Sequence, residues 1–190
     1  KLPDEEAALI ELLKGRTTTM PEVHTGEGIF FTSRTGDDFS LKSHRIQIEW
    51  KRAKQDIFVS QPRLSAGTLV RFSIQRNARQ TIEEVFGEFA PKQYDFQFLK
   101  TRVLIKLLQP DYVSRSEARR LLANLEKFRE IVLDFRDVRS VGQGFADEVF
   151  RVFASRNPSI AIHSENTSPP VTAMIRHVGH TGSDKATTER

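Results

Sequence analysis

Two glycines separated by one residue, Gly26 and Gly28, lie where a polar loop gives way to an apolar run. Glycine lets the backbone come close to a phosphate, and the amides at a helix N-terminus attract anions. The hydroxyl of Thr25, directly before the pair, could add a hydrogen bond. The spacing indicates either a phosphate-binding turn or an ordinary loop that ends at a packed helix, since two glycines alone do not separate these alternatives.

A second group of polar residues follows the nearly continuous apolar stretch EIVLDF. Asp134, Arg136 and Asp137 come at the C-terminal end of this predicted strand, where α/β folds place ligands. Two carboxylates beside a glycine turn suit a metal or acid–base chemistry, and they equally suit capping of the turn and pairing with arginines. Gly142 and Gly144 then open a helix, without the third glycine of a dinucleotide fingerprint or the lysine of a Walker motif.

Other catalytic chemistry finds no support in the sequence. The five histidines show no metal-ligand spacing, and neither a G-x-S-x-G nor an H-E-x-x-H motif occurs. The chain has no cysteine, which excludes disulfides, cysteine-ligated zinc and thiol catalysis. No catalytic residue and no metal ligand is therefore assigned. The absence of cysteine, together with the lack of an apolar run of about 20 residues, favours a cytoplasmic protein.

The formal net charge of +4 bears on possible partners. Nucleic-acid binding usually requires basic residues clustered on one face. Two short basic clusters occur, Lys51-Arg52-Lys54 and Arg115-Arg119-Arg120. We interpret both as solvated faces and do not expect nucleic acid as a partner, while DNA-linked transcriptional control stays open as an alternative.

The elements that must position these residues fall into two parts. In the first part, the pattern predicts a helix over 4–14, a long loop over 15–28 and a short helix over 29–35. The residues from 39 to 74 alternate between apolar and polar, which predicts a run of antiparallel strands.

In the second part, predicted strands and helices alternate. Strands are predicted at 102–108, 130–135 and 159–164, and helices at 81–90, 115–128, 144–155 and 169–178. Ser114 and Glu117 form a predicted capping box for the second of these helices. This alternation implies an α/β sandwich with right-handed crossovers, so the fold class is α/β in two units.

The first part resembles the C-terminal half of a GHKL ATP-binding domain, above all the anti-sigma-factor serine kinases and histidine-kinase-like ATPases. The resemblance covers about residues 2–75 and rests on a helix, a Thr-rich loop, G-x-G-I-F-F and strands that end in AGTLVRFSI. In that family the loop is a mobile ATP lid, and the G-x-G segment closes on the phosphates. The resemblance therefore implies phosphate contacts at Gly26 and Gly28, and an adenine-side position for the pair Gly67 and Thr68.

The sequence differs from that family in the rest of the ATP site. In the family, the magnesium-binding Asn helix and the Asp-x-Gly-x-Gly adenine box lie upstream of the lid, and this sequence contains neither. The segment LPDEEAALIELL resembles the stretch just after that box, so we expect the chain to be part of a longer protein. The full-length protein is expected to bind ATP and Mg²⁺ and to act as an ATPase or a protein-kinase-like enzyme. This chain alone is expected to bind ATP weakly or not at all and to show no turnover.

The second part, about residues 80–178, resembles STAS domains, the fold of anti-sigma-factor antagonists. The resemblance rests on EIVLDFRDVRSV, the turn GQG and FADEVFRVFA. It is closest to the STAS-like domain of unknown function found at the C-terminus of GHKL-like bacterial proteins. True antagonists carry a phosphorylatable serine in this turn, a place that Gln143 or Gly144 occupies here, while Ser140 lies three residues earlier. The resemblance therefore implies contacts through Ser140, Gly142, Gln143 and Gly144, without a phosphorylation switch.

The first hypothesis is a regulatory signalling protein, similar to partner-switching anti-sigma systems. The GHKL-like part (1–78) would control protein contacts of the STAS-like part (79–178) through ordering of the lid, and 179–190 would be a disordered tail. The alternative is an interaction-only module without nucleotide binding. In either case the expected partner is another protein or a second copy of the chain, since exposed strand edges invite pairing, and no membrane is expected.

Overall fold

The computed structural model describes residues 5–20, 22–78, 80–107 and 114–183 of the chain. Two compact units make up the protein, unit 1 over Lys1–Phe98 and unit 2 over Leu99–Arg190. Unit 1 contains an antiparallel sheet and unit 2 a parallel sheet, and helices accompany both. This confirms the predicted α/β class in two units.

Unit 1 begins with two helices that precede its sheet. Its elements are α1 (Glu5–Lys14), α2 (Gly28–Thr35), β1 (Asp38–His44), β2 (Ile46–Lys51), β3 (Asp56–Ser60), β4 (Ser65–Ser73) and α3 (Ile82–Phe89). The four strands pair antiparallel in the order β3-β2-β1-β4, as their alternation predicts. Phe39 lies opposite Trp50 and Phe72, so these side chains share the face that carries the buried Phe39.

A cluster of phenylalanines holds α3 in unit 1. The ring of Phe31 stacks on that of Phe86 in α3, with centroids 4.3 Å apart. Phe30 meets Phe89 at 4.9 Å and Phe98 at 4.5 Å. The sequence predicts a boundary at 78/79 between the GHKL-like part and the STAS-like part, and this boundary between two family resemblances stays a prediction. The contacts place residues 80–98 with unit 1, because the buried side chains of α3 face the phenylalanines of α2.

Unit 2 alternates strands and helices, as predicted. Its elements are β5 (Lys100–Leu104), α4 (Arg115–Leu122), β6 (Glu130–Asp134), α5 (Gln143–Asp147), a π-helical segment (Glu148–Phe153), α6 (Ala154–Arg156), β7 (Ala161–Glu165) and α7 (Pro169–Ser183). The strands are parallel in the order β5-β6-β7. In the central strand β6, every side chain from Ile131 to Asp134 is buried. Both faces of the strand are therefore covered, which explains its nearly continuous apolar sequence.

The three segments α5, Glu148–Phe153 and α6 follow one another without a break and are called the central helix, residues 143–156. It contacts α4 and also α7, so it lies between them. Phe145, Val149 and Phe153 are buried along it. The π-helical stretch in its middle is a rare geometry that is often found at functional sites.

Three element ends differ from the prediction by four or more residues. β5 ends at Leu104, followed by a 3₁₀ turn over Ile105–Leu107, and position 108 lies outside the described residues. α4 ends at Leu122 because Asn124 adopts a left-handed conformation (φ 61°) that stops the helix. α7 continues to Ser183, five residues beyond its predicted end at 178. The disordered tail over 179–190 stays a prediction, and 184–190 lie outside the described residues.

The position of α3 gives a test of the unit boundary. A fragment 1–98 should unfold cooperatively in urea, followed by the fluorescence of Trp50, the one tryptophan of the chain. A fragment 1–78 should show no cooperative transition, because it removes Phe86, Phe89 and Phe98 from the aromatic core. Loss of one buried phenylalanine side chain costs about 3–5 kcal/mol, a large part of the stability of a small domain. Equal urea midpoints for both fragments would contradict the boundary at 98/99.

Candidate functional site

The loop before α2 is tied together at its two ends. Gly26 has a φ of 71°, and a Cβ atom there would lie 2.5 Å from the carbonyl oxygen of Thr17. The Thr17 hydroxyl in turn donates to the carbonyl oxygen of Glu11 in α1 (2.8 Å), and Arg16 lies 3.7 Å from Glu27. The glycine at position 26 is therefore explained by a close approach of two backbone segments within the chain. Thr17 lies in the Thr-rich loop that the GHKL resemblance makes a mobile lid, and this hydrogen bond holds it against α1.

Gly28 has a different environment from Gly26. It is the first residue of α2, and the preceding Glu27 makes no side-chain capping hydrogen bond. A Cβ atom at Gly28 would meet no heavy atom within 4 Å, and Thr25 is exposed. The N-terminus of α2 is thus open in front of Gly28, which fits an anion better than Gly26 does.

The pair Gly67 and Thr68 lies in the edge strand β4, two residues after its start. The register of β1 against β4 shifts there, since Ser43 pairs with Thr68 but His44 pairs with Ser65. Gly67 has a φ of 75°, as a bulge requires, and the hydroxyl of Thr68 is 3.0 Å from that of Ser43. Among the described residues, no hydrogen bond or ion pair joins this pair to the loop before α2.

The basic cluster Lys51-Arg52-Lys54 serves the fold of unit 1. The guanidinium of Arg52 donates to the carbonyl oxygens of Thr35 (2.5 Å) and Gly36 (2.8 Å), where α2 ends. Lys54 lies over the ring of Phe58, with its Nζ atom 5.1 Å from the ring centroid. A cation that satisfies the last carbonyls of a helix stabilises that end.

In unit 2, Asp134 caps the turn after β6. Its side chain is 2% exposed. One carboxylate oxygen accepts hydrogen bonds from the backbone N–H of Arg136 (3.0 Å) and from the amide of Asn166 (2.8 Å). The guanidiniums of Arg136 and Arg102 lie 3.6 Å and 3.7 Å from the other oxygen. Capping and arginine pairing, one of the two alternatives from the sequence, thus occupy this carboxylate.

Asp137 also has a structural partner, because its carboxylate forms an ion pair with Lys106 at 2.9 Å. Its φ of 63° places it in the left-handed region, which aspartate tolerates in turns. Within the described ranges, no group of three His, Cys, Asp or Glu side chains could hold a metal ion.

The turn 139–144 is exposed but anchored. Val138 and Val141 are buried, and Ser168 donates through its hydroxyl to the carbonyl oxygen of Arg139 (2.8 Å), which joins the turn to the start of α7. Ser140 and Gln143 are exposed on this anchored segment. Gly142 is the N-cap residue of α5, and Gly144 follows in its first turn. This turn is the candidate functional site of unit 2.

Sequence reasoning missed two buried carboxylates in the central helix, Asp147 and Glu148. Arg115 donates to Asp147 (2.8 Å), Arg119 donates to Glu148 (2.9 Å), and Arg151 donates to Asp147 through two hydrogen bonds. These hydrogen bonds raise the pKa of Arg119 and Arg151 above the ordinary value. We call Arg115, Arg119 and Arg151 the arginine row. The spacing of Asp147 and Arg151 could have indicated one of these ion pairs, since residues four apart on a helix are neighbours.

The glycine environments predict opposite outcomes for two matched substitutions. Gly26→Ala should destabilise unit 1 by about 1–3 kcal/mol, because it combines a left-handed backbone with a clash against Thr17. Gly28→Ala should leave the free energy of unfolding unchanged or raise it by up to about 1 kcal/mol, since alanine favours the helix and has room. Urea unfolding followed by Trp50 fluorescence measures both. Equal losses at the two positions would contradict this assignment.

Comparison with known proteins bears on unit 2. The family model described as "STAS-like domain of unknown function (DUF4325)" matches residues 117–172, from α4 into the first turn of α7. No curated protein and no solved structure matches the chain. Every helix among the described residues is too short or too polar to cross a membrane. The STAS-like resemblance of the second part is therefore confirmed over residues 117–172, and such a domain suggests a role in protein interaction or regulation.

Proposed function

We propose that unit 2 is a regulatory protein-interaction module whose contact surface includes the turn 139–144 and the start of the central helix. The observation that carries this proposal is the exposure of Ser140 and Gln143 on a turn that Val138, Val141 and Ser168 anchor. A segment that is already ordered loses less conformational entropy on binding, so it suits recognition. The carboxylates beside it are committed to neighbouring groups, which favours contact over acid–base chemistry.

Site-specific photocross-linking tests this surface. A benzoylphenylalanine at position 143, in the full chain and in the cells that express it naturally, should give a discrete adduct with one partner protein. The same group at Glu126, an exposed residue after α4, should not give that adduct. With the purified partner, Gln143→Arg should weaken binding at least about tenfold, or 1.4 kcal/mol, without a change in melting temperature. The same adducts from both positions, or unchanged binding by the Gln143→Arg variant, would overturn the proposal.

A second proposal concerns unit 1, which we infer to be part of a GHKL-type nucleotide module that controls the contacts of unit 2. It is supported by the open N-terminus of α2 at Gly28, and by the order of α2 and the antiparallel strands that follow. The amides of α2 would bind phosphate oxygens, with Thr25 beside them. Among the described residues, no three His, Cys, Asp or Glu side chains are grouped so that they could hold a metal ion. No catalytic step is proposed for this chain.

Thermal melting with and without Mg-ATP tests the nucleotide proposal. This chain alone should show no shift, whereas a version with any residues encoded before Lys1 should be stabilised. Binding at a ligand concentration of 100 times Kd adds about 2.7 kcal/mol to the free energy of unfolding. Mg²⁺ with adenosine, which lacks the phosphates, serves as the control. An extended version whose melting temperature does not respond to Mg-ATP would leave the interaction-only alternative.

A further inference from the structure

The positive charge of the protein lies entirely in unit 2. Unit 1, residues 1–98, has 14 Lys and Arg against 14 Asp and Glu, while unit 2, residues 99–190, has 15 against 11. The boundary at 98/99 concentrates the excess of four positive charges on the unit for which an interaction role is proposed.

Where α4 meets the central helix, two carboxylates lie below the surface and three guanidiniums lie on it. Asp147 and Glu148 have side-chain exposures of 11% and 4%, whereas Arg115, Arg119 and Arg151 are 55%, 64% and 44% exposed. The arginine row therefore presents positive charge to solvent on α4 and the central helix. It includes two members of the basic cluster at 115–120, and Arg151 joins them only in the folded structure.

The arginine row is preorganised by its buried partners. Arg119 is held through its Nε atom and Arg115 through one Nη atom, by carboxylates that packing fixes in place. An arginine side chain has five N–H donors, so each of these two keeps donors for a second group. Since buried partners restrict both side chains before binding, the entropy lost on contact is smaller.

We propose that the arginine row binds an acidic segment of a protein partner, through hydrogen bonds from guanidinium forks to Asp or Glu carboxylates. This rests on the proposed function of unit 2 as an interaction module and names the chemistry of its partner. Three guanidiniums over two carboxylates leave a local excess of one charge, which is little for the phosphate backbone of a nucleic acid. Recognition of carboxylates by arginine depends instead on fork geometry, which the remaining donors of Arg115 and Arg119 supply.

Fluorescence anisotropy with defined probes tests the inference on the full chain. The probe is a fluorescein-labelled ten-residue peptide of alternating Glu and Ala, compared with its Gln–Ala counterpart and a labelled 20-base-pair DNA duplex. At 50 mM NaCl the Glu peptide should bind at least tenfold more tightly than either comparison probe, and 200 mM NaCl should weaken it. Absence of a preference for the Glu peptide, or tighter binding of DNA, would overturn the inference.

Matched variants separate the arginine row from bulk charge. Arg115→Gln with Arg119→Gln should raise the Kd of the Glu peptide at least tenfold. Arg129→Gln with Arg176→Gln, an equal charge change at exposed sites outside α4 and the central helix, should change the Kd of the Glu peptide less than twofold. Equal weakening by both pairs would show that bulk charge alone attracts the peptide and would overturn the inference.

Loss of Arg119 leaves Glu148 buried without its partner and can unfold unit 2. The double variant Arg119→Gln with Glu148→Gln avoids this, because it removes both charges and keeps the net charge of the protein. This variant should still bind the Glu peptide more weakly than the wild type. Wild-type affinity in this variant, with wild-type circular dichroism, would overturn the inference. The cross-link at position 143 tests the proposed contact surface independently of the peptide. A specific adduct at position 143, together with unchanged peptide binding by the arginine variants, would contradict only the inference about the arginine row. Absence of a specific adduct, together with peptide binding that depends on the arginine row, would contradict only the proposed contact surface.

Discussion

The burial of two adjacent carboxylates, Asp147 and Glu148, is the constraint on which much of unit 2 depends. A charge that leaves water must find a partner, or the folded state is strongly destabilised. Here the partners are arginines from α4 and from the central helix itself, which fixes how these helices face each other. Because the carboxylates lie inside, the guanidiniums must reach in from the surface. The same requirement thus orders the helix packing and sets the sign of the exposed charge.

Unit 1 depends on a different interaction, the packing of phenylalanine rings between α2 and α3. This packing explains why residues 80–98 stay with the antiparallel sheet instead of joining unit 2. It also explains why α2 begins where it does, since Phe30 and Phe31 must turn inward directly after the glycines. Of those glycines, Gly26 serves the close approach to Thr17, and Gly28 leaves a helix N-terminus open. The two residues of one apparent motif therefore have different physical roles.

Much of the local structure could be predicted from the sequence, because it depends on neighbouring residues. The capping box of Ser114 and Glu117 is present as predicted, with both reciprocal hydrogen bonds. A second capping box, Thr81 with Glu84, follows the same rule and was overlooked. The end of α4 could not be predicted from periodicity, since Leu125 and Phe128 are still buried although the helix has stopped at Leu122. Burial continues through a turn when the turn lies against the core.

By itself, the sequence determined the types and order of the elements, the antiparallel run over 39–74 and the STAS-like segment around β6. These follow from periods of two and 3.6 residues and from capping residues, which act over a few positions. Only the tertiary structure decided which unit holds α3, and hence that unit 2 carries the whole charge excess. It alone also brought Arg115 and Arg119 to the carboxylates of a helix beyond β6. Such pairings depend on which helix faces meet across a folded unit, and local periodicity does not specify this.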